Sequence, residues 1–157
     1  MTGGNQENGN QDGNMKYNIV DSTINDISSI VKYKCNNIFE YAADISEEEK
    51  NKIINYVFND INKEYGNFKM IIVSNIIIGI VGVIDYEDGK MIDEIFIEEE
   101  FRNMGIGSDI IEKIVNETEK VYLWVYMDNV RAVKLYKKIG FVIIEENKDK
   151  YLMRYEA

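Results

Sequence analysis

The stretch from Phe68 to Ile97 constrains the fold more than any other part of the chain. Three segments rich in Ile and Val, Phe68–Val73, Ile76–Asp85 and Lys90–Ile97, are separated by two turn signals, Ser74-Asn75 and Asp88-Gly89. Branched side chains suit a pleated surface, and Asp-Gly tolerates the positive φ of a tight hairpin. Three strands in a row form an antiparallel meander, whose apolar faces must be covered by other elements. The longest apolar run, Ile76 to Ile84, holds two glycines. It is strand-length, well short of the ~18 apolar residues of a membrane span.

The flanks supply the cover. Met15–Val20 reads as a first strand. Asp21 or Ser22 is positioned to cap a helix carrying Ile24, Ile27, Ile30 and Val31 on one face. Ser46-Glu47-Glu48-Glu49 is a capping box ahead of Ile53, Ile54, Val57, Phe58 and Ile61, and that helix should stop at Gly66. After the meander the helical period returns from Gly105 to Glu119. Val121–Tyr126 reads as a strand, Val130–Ile139 as a helix, and Phe141–Glu146 with Tyr151–Tyr155 as a closing hairpin. The order β-α-α-β-β-β-α-β-α-β-β predicts an α/β (α+β) fold. Its sheet is mixed, mostly antiparallel, of about seven strands, with helices on its faces.

The chain has 157 residues, enough for one domain, expected over 15–157. Residues 1–14 are almost wholly Gly, Asn and Gln, which cannot bury apolar surface, and they read as a disordered tail. The chain has no His and one Cys. Catalysis through an imidazole base, His-ligated zinc, disulfides within the chain and Cys-cluster metal sites are thereby excluded, and no metal is expected. The net charge of -10 disfavours a phosphate-backbone partner and mildly favours a cationic one. With no basic, apolar leader, a cytoplasmic location is expected, away from membranes. A homo-oligomer is compatible with such a chain.

Two constellations carry chemistry. Arg102-Asn103-Met104-Gly105-Ile106-Gly107-Ser108 directly follows a strand and opens a helix. A helix start exposes unpaired N–H groups and partial positive charge. Glycine lets a ligand approach the backbone, and an arginine fork can meet a phosphate. The segment is either a pyrophosphate cradle or a glycine turn before an ordinary helix. The dinucleotide fingerprint fails because Ile110 stands at its third glycine, and the P-loop triplet is absent. The second constellation runs from Asn129, a good N-cap, through Tyr136 to Gly140, a good helix terminator. Tyr136 taken alone reads sooner as core packing, with its hydroxyl at the edge.

Taken together, Ile95-Phe96-Ile97, Arg102-x-x-Gly105-x-Gly107 and Asn129…Ala132…Leu135-Tyr136…Gly140-Phe141 resemble the GNAT superfamily of acetyl-CoA-dependent N-acetyltransferases. The resemblance covers residues 68–157 and implies a sheet splayed into a V between its fourth and fifth strands, with acetyl-CoA as co-substrate in the opening. It implies pantetheine contacts from Ile95, Phe96 and Ile97, and pyrophosphate on Asn103, Met104, Gly105, Ile106, Gly107 and Ser108. It further implies a cofactor contact from Asn129, and Tyr136 as the acid that protonates the leaving thiolate. A phenol suits that role because its ordinary pKa of ~10 keeps it protonated.

The attacking amine must be neutral, so a base is required. Glu94, on the face of Phe96 and opposite Ile95, is the first candidate, with Asp93 and Tyr126 behind it. Relatives that carry a catalytic Glu on the next strand differ here, where Trp124 stands. Cys35 has no base beside it and reads as packing. The expected activity is acetyl transfer to a primary amine: a protein N-terminus, a peptide or a small amine. The alternative is a non-catalytic acyl-CoA-binding module. Tyr33, Phe39, Tyr41 and Tyr151 are candidates for the acceptor pocket.

Overall fold

A computed structural model describes residues 6–8, 16–42 and 44–157. The strands are β1 (Gln6–Asn8), β2 (Tyr17–Asp21), β3 (Phe68–Val73), β4 (Ile76–Tyr86), β5 (Gly89–Ile97), β6 (Lys120–Tyr126), β7 (Val142–Asn147) and β8 (Lys150–Glu156). The helices are α1 (Ile27–Tyr41), α2 (Glu47–Glu64), α3 (Ile106–Glu117) and α4 (Val130–Ile139). The predicted order holds, with seven expected strands and β1 as an eighth. Gln6–Asn8, within the stretch expected as a tail, pair antiparallel with β2, Gln6 opposite Ile19. Backbone pairing at a sheet edge needs no apolar side chain. The other residues of that expected tail lie outside those described.

The sheet runs β1-β2-β3-β4-β5-β6-β8-β7, and every pair is antiparallel except β5 with β6. Alternation sorts the strand side chains to two faces. Phe68, Met70, Ile80 and Phe96 pack under α1 and α2, around fully buried Ile30 and Ile61. Ile71, Val73 and Val81 pack under α3. Val121, Leu123 and Val125 meet both α3 and α4. Each fully buried Ile or Phe contributes about 1.5–3 kcal/mol, which fixes the helices against the sheet. Among the described residues no helix is long and apolar enough to cross a membrane.

One helix start differs from expectation. Thr23, not Asp21 or Ser22, forms the first cap. It makes a capping box with Asp26 around a 3-10 turn, Ile24–Asp26, before α1 begins. The tighter turn rotates Ile24 off the helical stripe and leaves it exposed. Ser46 does cap α2, accepting from the Glu49 N–H at 3.2 Å. On α2 Val57 and Ile61 are buried, while Ile54 and Phe58 are exposed.

The β5–β6 pair positions everything that follows. Its parallel register covers only Lys90–Val121, Met91–Tyr122 and Ile92–Leu123. At its tight end the backbones are so close that a Cβ on Gly89 would lie 2.2 Å from the Lys120 carbonyl oxygen. Beyond Ile92 the strands part, although β5 runs on to Ile97 and β6 to Tyr126. The cause is local. Against β4, Val83 pairs with Ile92 but Gly82 pairs with Glu94, so Asp93 is an extra residue. A bulge bends the bulged strand and increases its twist, turning β5 away from β6.

Candidate active site

Glu94 shares the face of Phe96 by alternation, and the bulge puts Ile92 on the other face. Ile92 and Ile95 share the α3 side of the sheet, with two residues between them rather than one. Glu94 therefore faces α1 together with Phe96. There it is buried, and its carboxylate accepts a hydrogen bond from the Asn37 side-chain amide. Burial pushes its pKa up to about 7, against the opposing effects of the Asn37 hydrogen bond and the Lys34 charge. Asn37 is absent from the sequence reading. It is an ordinary polar helix residue, and only packing brings it to a carboxylate 57 positions away.

The glycine segment folds as a left-handed entry to α3. Asn103 has φ 65° and Gly105 φ 81°. Asn tolerates the left-handed region better than most residues, which explains its standing at a position that demands positive φ. No side chain caps α3, and its first backbone bond is Asp109 N–H to the Gly105 carbonyl at 3.0 Å. The preceding N–H groups have no acceptor within the helix and face a cleft. Ile106 anchors this turn in the core. A Cβ on Gly107 would touch only Ile97 Cδ1, at 3.4 Å, so the space outside the turn is open.

That cleft, of about 480 Å³, is lined by Ile95, Phe96, Ile97, Arg102, Asn103, Gly105, Ile106, Gly107, Ser108, Asn129 and Tyr136. Met104, expected with them, does not line it. The Arg102 fork is engaged by Glu40 of α1, with N–O distances of 2.9 and 3.2 Å. Its Nε donates to the Ile97 carbonyl at 2.7 Å. Arg102 thus ties α1 to the end of β5 rather than presenting a free fork.

A second cavity, of about 540 Å³, lies against Glu94, Asp93, Trp124 and Tyr126. Asn37, Ile95, Asn129 and Tyr136 line both cavities and mark where they meet, at the mouth of the strand gap. Tyr136 reaches this junction because Asn129 starts α4, accepting from the Ala132 N–H at 3.2 Å, and Gly140 ends it at φ 125°. Its ring packs on Phe141. Burial, then the nearby Glu94 charge and Tyr41, hold its phenol above the ordinary pKa, so it stays protonated at neutral pH.

Of the aromatic acceptor-pocket candidates, Tyr41 lines the first cleft and stacks on Tyr126 with centroids 5.5 Å apart. Tyr33 bonds instead to Glu98 at 2.9 Å and to the Ile77 carbonyl. Tyr33, Phe39 and Tyr151 line neither cavity. Cys35 is buried and its thiol pKa is pushed up by burial, as a packing residue requires.

Comparison with known proteins agrees with this geometry. The family model "Acetyltransferase (GNAT) domain" matches residues 64–143. Over 55 residues the chain is 40% identical to an uncharacterized N-acetyltransferase of Methanocaldococcus jannaschii, covering 32% of this chain and 24% of that protein. Over 57 residues it is 37% identical to N-alpha-acetyltransferase 50 of Danio rerio, covering 32% and 34%. The matched stretch thus spans about a quarter and a third of those relatives. The fold superposes on PaiA N-acetyltransferase from Thermoplasma acidophilum, a structure in complex with coenzyme A, with TM-score 0.76 and 18% identity over 91% of this chain and 100% of that one.

Proposed function

Because this chain belongs to the GNAT acetyltransferase family, we propose that it transfers an acetyl group from acetyl-CoA to a primary amine by direct attack within a ternary complex. One observation carries the reading. Two cavities on either side of the β5–β6 gap share Asn37, Ile95, Asn129 and Tyr136, so a donor in one and an acceptor in the other meet at a single junction.

The residues present fit acetyl-CoA. The uncapped start of α3 offers N–H groups and partial positive charge to a diphosphate. Open space beside Gly107 admits it. Past Ile92 the β6-facing edge of β5 has no partner strand among the described residues, so it can pair with an amide-bearing arm. Acetyl-CoA supplies the activated thioester. Phosphate recognition here relies on the helix start, because Arg102 is held by Glu40.

Glu94 faces the second cavity and acts as the base that keeps the attacking amine neutral. A base titrating near 7 is matched to neutral pH. Asn37 holds that carboxylate in place. Strand N–H groups near Ile95 to Ile97 stabilise negative charge developing on the carbonyl oxygen. Tyr136, at the junction and kept protonated, donates its proton to the departing thiolate. Trp124, where some relatives carry a catalytic Glu, lines the acceptor side. No side chain is acylated in this scheme.

The test is purified protein, acetyl-CoA and a broad amine panel, reading free thiol. Amine-dependent thiol release supports transfer. Cofactor binding with no release from any amine points to a binding module, and no binding at millimolar acetyl-CoA removes the whole reading.

A further inference from the structure

The second cavity has a charge pattern that the chain's overall charge does not suggest. Four charged side chains line it: Lys34, Lys150, Asp93 and Glu94. Lys34 and Asp93 lie 3.7 Å apart and offset each other. Glu94 is buried and bonded to Asn37. That leaves Lys150, which forms no ion pair among the described residues.

Lys150 is held in place rather than left to solvent. The register of β6 with β8 sets it opposite Tyr126, and its Nζ lies 4.6 Å from the centre of the Tyr126 ring. Cation–π contact of this kind holds an ammonium at a fixed site. Across the β7–β8 hairpin its partner is Asn147, which lines the same cavity. The hairpin thus places an ammonium, with an amide-bearing residue beside it, at the space where the acceptor sits.

We propose that the acceptor is an amine that also carries an anionic group, a carboxylate or a phosphate, and that Lys150, with Asn147, receives that group. The inference rests on the acetyl-transfer reading and specifies its acceptor. With Glu94 facing the amine, an anion at the hairpin end gives Lys150 the close partner that Glu94, which feels its charge without pairing to it, does not. A polyamine would bring its second positive charge against the Lys150 ammonium. The chain's remaining acidic surface does not alter this, because exposed charges are screened beyond about 8–10 Å.

Matched pairs isolate the anion: alanine against alaninamide, and phosphoethanolamine against ethanolamine, with spermidine as the cationic arm. The amide's amine loses its proton more readily than the acid's, so intrinsic chemistry works against the expected result. The anionic member of at least one pair should show kcat/KM about ten-fold above its neutral partner, the size of one well-placed charge contact. The successful pair distinguishes carboxylate from phosphate. Lys150→Gln should raise KM for the anionic member and collapse the ratio. Lys150→Arg should retain it, and Lys150→Glu should shift preference toward spermidine. Equal use of both members of each pair, preference for spermidine by the unaltered protein, or equal losses for both members in Lys150→Gln would overturn the assignment. Thiol release from no amine would instead overturn acetyl transfer, and the acceptor assignment with it.

Discussion

Glu94→Gln should separate stability from catalysis in opposite directions. In the folded chain Glu94 titrates at about 7, against an ordinary value of 4.5, chiefly because it is 9% exposed. The fold therefore keeps a proton between pH 4.5 and 7 that the unfolded chain has released. Stability falls as pH rises through that window, and the full penalty is present above it. A displacement of about 2.5 pH units corresponds to about 3 kcal/mol at 1.36 kcal/mol per unit. The facing groups are Lys34 and Asn37 from α1, Asp93 on β5, Tyr126 on β6, Tyr136 on α4 and Lys150 on β8. None is altered by the substitution. Gln keeps a carbonyl oxygen for the Asn37 amide and cannot ionise. Urea unfolding, followed by fluorescence of the single Trp124, should find variant and parent of similar stability at pH 5. At pH 8 the variant should be about 3 kcal/mol more stable, yet its kcat should fall about 10²-fold with the base removed. A stability difference that does not change with pH would refute the buried-carboxylate argument. Undiminished turnover would remove Glu94 from the base role.

In the unaltered protein, log kcat/KM should rise with pH and level off near 7 as Glu94 loses its proton; a flat profile from pH 5 to 8 would contradict this. Tyr136→Phe should lower kcat about ten-fold or more while calorimetry shows acetyl-CoA affinity little changed, since only the hydroxyl is lost. Gly107→Val should weaken acetyl-CoA binding at least ten-fold, because its side chain fills the open space beside the turn, where a Cβ meets only Ile97 Cδ1 at 3.4 Å. Gly89→Ala should act on stability instead. Its Cβ would collide with the Lys120 backbone at 2.2 Å, forcing β5 from β6 at about 1–3 kcal/mol, measurable by denaturant unfolding.

The pattern of residues determined what could be written locally. Period-2 and period-3.6 spacing set the order of strands and helices, because burial on one side of an element repeats with its geometry. Asn129 and Gly140 marked the ends of α4, since capping depends on adjacent backbone. The glycine segment was legible as a helix entry for the same reason, and Asn103 then took the left-handed φ its position required. Ile24 was misplaced because Thr23 and Asp26 close a 3-10 turn, which shifts the helical phase by less than one turn.

Contacts between distant elements belonged to the tertiary structure alone. Asp93 became a bulge only by pairing against β4, and that extra residue opened the strand gap and put Ile92 on the opposite face from Glu94. Asn37 gained its role, Arg102 was claimed by Glu40, and Lys150 came to rest on Tyr126 through packing between segments far apart in the chain. Local spacing records which face of an element is apolar. It carries no record of which partner that face will meet, and the site is made of those meetings.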